Sequence, residues 1–218
     1  MNKSVKTTEL FECNTPYLKE LFDAAEYPWQ MLSEIEKTIE KAGKSSEFSE
    51  IAPGIFVGQN VKISESATLI PPLLIGDNTE IRPSAYLRGR VIIGKDCVIG
   101  NATEVKNAIL LDEVDVPHYN YVGDSVLGNR AHMGAGAVCS NIKSDKKNVT
   151  VHAESDYPTG LRKLGAMLGD GVEIGCGCVL NPGAVVGRNT SVYPLISLRG
   201  VYPENCIVKS QTDITERR

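Results

Sequence analysis

His118 is the side chain in this sequence whose type and position best suit proton transfer at neutral pH. An unperturbed imidazole titrates near 6.5, so it can take a proton from an attacking nucleophile. Arg82, Lys106 and Tyr121 are among the side chains whose types could hold an anion. Guanidinium and ammonium groups are the usual partners of phosphate, and a phenol adds an oriented hydrogen bond. Each also has a plainer reading. The histidine could pack beneath a loop, and the other three could be ordinary surface residues. His118 and His132 stand fourteen positions apart with no supporting carboxylate or thiol motif, which makes a poor metal site.

The element that must position these residues is a repeat. In steps of six from Ile51 the chain reads Ile51, Val57, Ile63, Leu69, Ile75, Ile81, Leu87, Ile93, Ile99, Val105 and Leu111, all aliphatic. A period of six fits neither a helix nor an isolated strand. Six residues make one short strand plus a turn, three such units make a triangular coil, and stacked coils bury the aliphatic column. The beat resumes at Leu127, Met133 and Cys139, and again from Leu168 through Ile174, Leu180, Val186, Val192 and Leu198. Counting hexads predicts six or seven coils. His118 falls at a break in the beat, where a side chain can point outward. Residues 142–166 hold no hexad and read as an excursion from the coil; long ordered loops are usually functional.

Residues 1–48 differ in kind. Thr15-Pro16 opens a helix predicted to run from Tyr17 to about Ala25. Pro28 starts a second, longer one that Gly43 ends, with Trp29, Leu32, Ile35 and Ile39 on one face. The expected role is a helical cap over the open end of the first coil, with a partner-binding helix as the alternative. Residues 49–218 would form the β-helix.

Aromatics are 6% and glycines 20 of 218 residues, which suits a narrow solenoid. A net charge of −4 offers no footprint for nucleic acid or an anionic membrane. The first residues carry no apolar stretch of signal-peptide length, and no run of eighteen apolar residues occurs. The six cysteines lack a C-x-x-C spacing. The expected setting is the reducing cytoplasm.

The hexad resembles the left-handed parallel β-helix of the hexapeptide-repeat acyltransferases. Arg82-Pro83, Glu104-Val105-Lys106, Pro117 to Asp124, Gly134-Ala135-Gly136 and Asn141 sharpen the resemblance. They are similar to the acetyltransferase domain of the bifunctional enzyme that makes UDP-N-acetylglucosamine. The same block occurs in the C-terminal β-helix of archaeal sugar-1-phosphate nucleotidylyltransferases. The resemblance implies an N-acetyltransferase using acetyl-CoA, with no metal required, acting on an amino-sugar phosphate or a nucleotide-linked amino sugar. It implies His118 as general base. It also places Arg82, Lys106 and Tyr121 on the sugar phosphate, and Lys147 as a second cation. Asn141 would lie near the acetamido group and the thioester. A homotrimer, with ligands in the grooves between prisms, is implied in the same way.

The chain departs from that pattern at several positions. His132 stands where the family has Asn at a sugar-binding position, and Ile142 where it has Tyr. Cys176 replaces a serine near the cofactor and Pro194 a small alanine. An imidazole in place of an amide changes the donors and acceptors offered to the sugar. About fifty residues precede the repeat and include no Gly-rich nucleotide loop, so nucleotidyl transfer is not expected. Two alternatives stay open: a non-catalytic sugar-phosphate or nucleotide-sugar binding module or trimeric scaffold, and acyl transfer to a hydroxyl.

Overall fold

The computed structural model describes residues 3–217. Short strands stack into three mostly parallel sheets that form the faces of a triangular column. The first face runs from Ile55–Val57 through Leu73–Ile75, Val91–Ile93, Ala108–Leu110, Val126–Leu127, Ala166–Leu168 and Ala184–Val186 to Val201–Tyr202. The second includes Glu80–Ile81, Val98–Asn101, Asp115–His118, His132–Met133, Glu173–Ile174 and Ser191–Val192. The third includes Tyr86–Arg88, Glu104–Lys106, Tyr121–Gly123, Val138–Cys139 and Val179–Leu180. Each coil sends an apolar residue inward on each face, aliphatic in most coils, and Ile75, Ile81, Leu87, Ile93 and Ile99 are at most 1% exposed.

Eight parallel strands stack on the first face, so the column has about eight coils, not the six or seven predicted. Val116, Val122, Tyr202 and Val208 belong to the inward column but fall off the strict beat. The phase slips because two coils are one residue short and a later one, from Val186 to Tyr202, spans only 16 residues (202 − 186). Ile75 pairs with Ile93 across 18 residues (93 − 75), but Ile93 pairs with Leu110 and Leu110 with Leu127 across 17 (110 − 93, 127 − 110). Leu110 is therefore the inward residue, and Leu111 packs in an outer cluster. Ile51, expected in the column, is 52% exposed in the antiparallel edge strand Ser49–Ala52.

The first face is apolar on both sides. Its outward residues Leu74, Ile92, Ile109, Val126, Met167, Val185 and Val201 are all buried. A strand covered on both sides loses the alternation of a half-exposed one. The cover is the N-terminal segment: helices Thr7–Leu10, Pro16–Ala24 and Ile35–Ala42, and the 3-10 turn Pro28–Ser33. Ile35 and Ile39 lie at 0% exposure against this layer. The helices thus lie along the first face instead of across the open end of the first coil. The hexad shows only the inward position; the outward aliphatics, which demand the cover, sit one residue before it.

The excursion contributes to the same layer. Thr150–His152 pairs with Asp156–Pro158 as an antiparallel hairpin, and Val149, Val151 and Leu164 are buried beneath the helices. Tyr157 meets Tyr27 at 5.5 Å, and Tyr27 stacks on Trp29 at 4.9 Å. Among the described residues no helix is long and apolar enough to cross a membrane. With the first face sealed by the chain itself, the second and third faces and the edge between them carry the exposed chemistry.

Candidate functional site

His118 ends the strand Asp115–His118 at the edge between the second and third faces, and it is exposed. The backbone there is held from within. Asn120, only 3% exposed, accepts the His118 N–H at 3.0 Å through Oδ1. Its Nδ2 donates to the carbonyls of Gly134 (2.9 Å) and Ala137 (3.1 Å) in the next coil. The His118 carbonyl accepts the Gly136 N–H at 3.0 Å. Among the described residues none hydrogen-bonds the imidazole. The backbone is fixed, and the exposed imidazole, with no hydrogen-bond partner among the described residues, is free to exchange a proton with a bound molecule.

Cys176 and Pro194, the expected cofactor contacts, stack on this same edge. Gly177 N–H bonds the Ala135 carbonyl at 2.8 Å, and Leu195 N–H bonds the Cys176 carbonyl at 2.9 Å. Coils follow one another at about 4.8 Å, so Cys176 stands about 10 Å and Pro194 about 14 Å along the edge from His118. Leu195, 83% exposed, and Tyr193, 49% exposed, give the upper part of the edge an apolar surface.

Arg82 and His132 belong to the second face. Arg82 Nε lies 3.4 Å from Glu80 Oε1. His132 is in register between Asp115 and Glu173, and its Nδ1 is 2.9 Å from Glu173 Oε2. Burial pushes the Asp115 carboxyl up from its usual range, opposed by His132 and Arg82. Tyr121 lies round the corner from His118, at the start of Tyr121–Gly123 on the third face. Burial, and then the charges of Glu104 and Asp124, raise its phenol.

The far edge of the third face holds a network that sequence reasoning missed. Asp124 is 4% exposed. Lys106 Nζ reaches both of its oxygens at 3.1 Å, Asn107 Nδ2 donates to it at 2.7 Å, and Asn141 Nδ2 at 2.5 Å. Asn141 Nδ2 also donates to the Tyr121 hydroxyl at 3.0 Å. The two shortened coils create this cluster. Their corners are turned by Asn107 (φ 47°) and Asp124 (φ 50°), residue types that tolerate the left-handed region. The signal in the sequence was the 17-residue step itself, which brings these two polar residues one above the other.

The structure therefore divides the expected site. The ammonium of Lys106, expected on a phosphate, is paired with Asp124, and its side chain is 14% exposed. Asn141 and His118, expected at one reaction centre, occupy opposite edges of the third face of one column. The strand Tyr121–Gly123 runs between them, because each hexad turns the chain onto a new wall. Ile142, 38% exposed, follows Asn141 and bridges to Lys163 where the excursion leaves. Lys147 is exposed within the excursion and makes no ion pair among the described residues. Beside Ile142, a hollow of about 420 Å³ is lined by Lys143, His152, Asn181 and Arg199 among others.

Gly123 lets the Tyr121 ring lie flat on the wall. A Cβ there would collide with the Tyr121 hydroxyl, and would stand 2.7 Å from its Cζ and 2.8 Å from Asn141 Nδ2. Gly123→Ala is expected to break the Tyr121–Asn141 hydrogen bond and lower stability by about 1–3 kcal/mol, as overpacking does. Chemical denaturation checks the stability, and a crystal structure checks the phenol position.

Residues 69–156 match the family model described as GMPPB C-terminal domain. That stretch contains Arg82, Lys106, His118, Tyr121, His132, Asn141, Ile142 and Lys147. The chain is 34% identical over 98 residues to the bifunctional protein GlmU of Methanococcus vannielii, covering 45% of this chain and 24% of that protein. It is 36% identical over 97 residues to the bifunctional sugar-1-phosphate nucleotidylyltransferase/acetyltransferase of Sulfurisphaera tokodaii, covering 44% and 24%. The chain spans about a quarter of the length of these relatives. Among solved structures it aligns with a point mutant of AntD, an N-acyltransferase from Bacillus cereus in complex with dTDP and coenzyme A. That alignment has 22% identity over 74% of this chain and 83% of the other, with a TM-score of 0.41.

Proposed function

We propose that this chain is an acetyl-CoA-dependent N-acetyltransferase of the hexapeptide-repeat type, acting on an amino-sugar phosphate or a nucleotide-linked amino sugar. The observation that carries the reading is the His118 imidazole, unpartnered and exposed on a clamped backbone, on the edge it shares with Cys176 and Pro194. The relatives matched across residues 69–156 support it.

Acetyl-CoA lies along that edge with its pantetheine over Cys176 and Pro194 and its thioester at His118. The sugar amine attacks the thioester carbonyl. A carbon–nitrogen bond forms and the carbon–sulfur bond breaks. His118 takes the proton the amine sheds and passes it to the departing thiolate. Donors aimed at the carbonyl oxygen lower the barrier further. Arg82 and Lys147 face the acceptor's phosphate, and His132, where relatives of this type carry an amide, selects the sugar. Because Asn141 stands on the opposite edge from His118, the two meet across the groove between neighbouring columns of a homotrimer.

The test is free thiol release from acetyl-CoA with a panel of amino sugars, phosphorylated and not. Release above background with at least one acceptor is expected; none with any acceptor overturns the proposal. A second measurement reads the cofactor path. Burial pushes the Cys97 and Cys139 thiols to about 12, whereas Cys176 is exposed. An alkylating reagent is expected to modify Cys176 and spare Cys97 and Cys139 in the native chain, and saturating coenzyme A to slow Cys176 modification about tenfold or more by covering it. Unchanged labelling of Cys176 moves the cofactor off this edge.

The departures at His132, Ile142 and Cys176 favour a second reading, a module that binds a sugar phosphate without turnover. Calorimetry separates the readings: saturable binding of both sugar phosphate and coenzyme A fits the enzyme, and sugar phosphate alone fits the module.

A further inference from the structure

We infer that Asp124 is a positioning residue that neutralises Lys106 and turns the Tyr121 hydroxyl hydrogen outward, so that the group bound against this wall is an uncharged carbonyl oxygen and not a phosphate. This rests on the acyl-transfer reading above and revises where that site holds its ligands.

A carboxylate can only accept hydrogen bonds. Every group aimed at Asp124 must therefore present a donor, which fixes the orientation of two amides without reference to a ligand. Asn107 shows how strongly. Its Nδ2 faces Asp124 at 2.7 Å, and its Oδ1 is left buried with no hydrogen-bond partner among the described residues. Asn141 is fixed in the same way: one Nδ2 hydrogen goes to Asp124 and the other to the Tyr121 oxygen. That oxygen is an acceptor toward the interior, so the phenol's own hydrogen must point elsewhere. The ring lies over Gly123, which closes the inner side, and Tyr121 is only half-buried, so the open direction is outward from the third face. The chain from Asp124 through Asn141 to Tyr121 ends in one oriented O–H donor.

Lys106 offers little to an anion. Its Nζ lies 3.1 Å from each oxygen of Asp124. A phosphate brought beside it would also face the Asp124 carboxylate at close range and in poor solvent contact, where like charges repel strongly. An O–H donor beside a neutralised cation suits a carbonyl oxygen, whether of the thioester or of the acetamido product. It suits best the oxygen that gains negative charge during transfer. The acceptor's phosphate is then left to Arg82 and to Lys147, the latter exposed and without an ion pair among the described residues.

The full chain and its Tyr121→Phe, Asp124→Asn and Lys106→Met variants are compared for thiol release with a phosphorylated and an unphosphorylated amino sugar. Asp124→Asn and Tyr121→Phe are each expected to lower kcat about a hundredfold while the KM of the phosphorylated acceptor stays within about threefold. Because both act through one O–H, the double variant falls no more than about threefold below the worse single. Lys106→Met shifts the KM of both acceptors by the same factor. Multiplying effects of Asp124→Asn and Tyr121→Phe overturn the inference. So does a Lys106→Met penalty of about tenfold or more confined to the phosphorylated acceptor. Where Asp124→Asn does not fold, Asp124→Asn/Lys106→Met removes both charges together; it must show the same kcat loss, and wild-type kcat in it overturns the inference. Where the wild-type chain releases no thiol, the acyl-transfer reading fails on its own. The Lys106 assignment is then read by calorimetry with a hexosamine 1-phosphate. Affinity of Lys106→Met within about threefold of wild type upholds it, and a tenfold loss overturns it.

Discussion

Thiol release from acetyl-CoA is expected to fall by about 10²–10⁴-fold when His118 is replaced by alanine, the range a positioned general base contributes. The loss should appear in kcat, with the KM of acetyl-CoA little changed. The fold should be indifferent to the change. The hydrogen bonds that shape this corner run from the His118 backbone to Asn120 and Gly136, and the imidazole contributes none among the described residues. The thermal midpoint of His118→Ala should therefore stay within about 2 °C of the parent, as for a surface substitution. A variant that keeps its activity removes His118 from the mechanism. One that loses activity together with its fold would mean that the imidazole is structural, contrary to its exposure.

Asp124→Ala should have the largest effect on stability of any single change at this site. The substitution leaves the Lys106 ammonium, whose side chain is 14% exposed, beside a cavity with no counter-charge. It also strips Asn107 and Asn141 of an acceptor. Removing one partner of a buried pair costs about 3–5 kcal/mol, chiefly through the charge left behind. For a chain of this size that lowers the thermal midpoint by about 6–20 °C. Asp124→Ala/Lys106→Met should recover more than half of the loss, because the stranded charge is gone. Calorimetric unfolding measures both. An Asp124→Ala variant as stable as the parent would show that the cluster is solvated and that its hydrogen bonds to Tyr121 and Asn141 carry no positioning.

The two results bear on different levels of structure. The reactivity expected of His118 belongs to an edge, where the coil turns and a side chain can leave the wall. The cost at Asp124 belongs to a corner shortened by one residue, where the wall is tight enough to bury a carboxylate. Only the Asp124 corner interrupts the beat; the His118 corner, expected at a break, keeps a full step of six from Val116 to Val122, and in a hexad reading the short corner registers only as lost phase. The excursion departs one coil further on from the edge that holds Asp124, and residues 142–166 then return over the first face.

What the amino-acid sequence determined by itself was the column. A six-residue aliphatic beat specifies its own burial, because each coil packs only on its neighbours and the pattern is local. Parallel strands, three walls and an inward aliphatic at Val57, Ile75 or Leu87 follow from spacing alone. So does the general-base chemistry open to His118, since an imidazole's proton affinity belongs to the residue type. Three things only the tertiary structure decided: that the N-terminal helices seal the first face and not the end of the coil, that Lys106 is spent on Asp124, and that Asn141 and His118 sit on different edges of one column. The physical reason is common to all three. Each depends on which wall a residue faces after the chain has turned, and one missing residue at Asn107 rotates everything downstream relative to the beat that a linear reading counts.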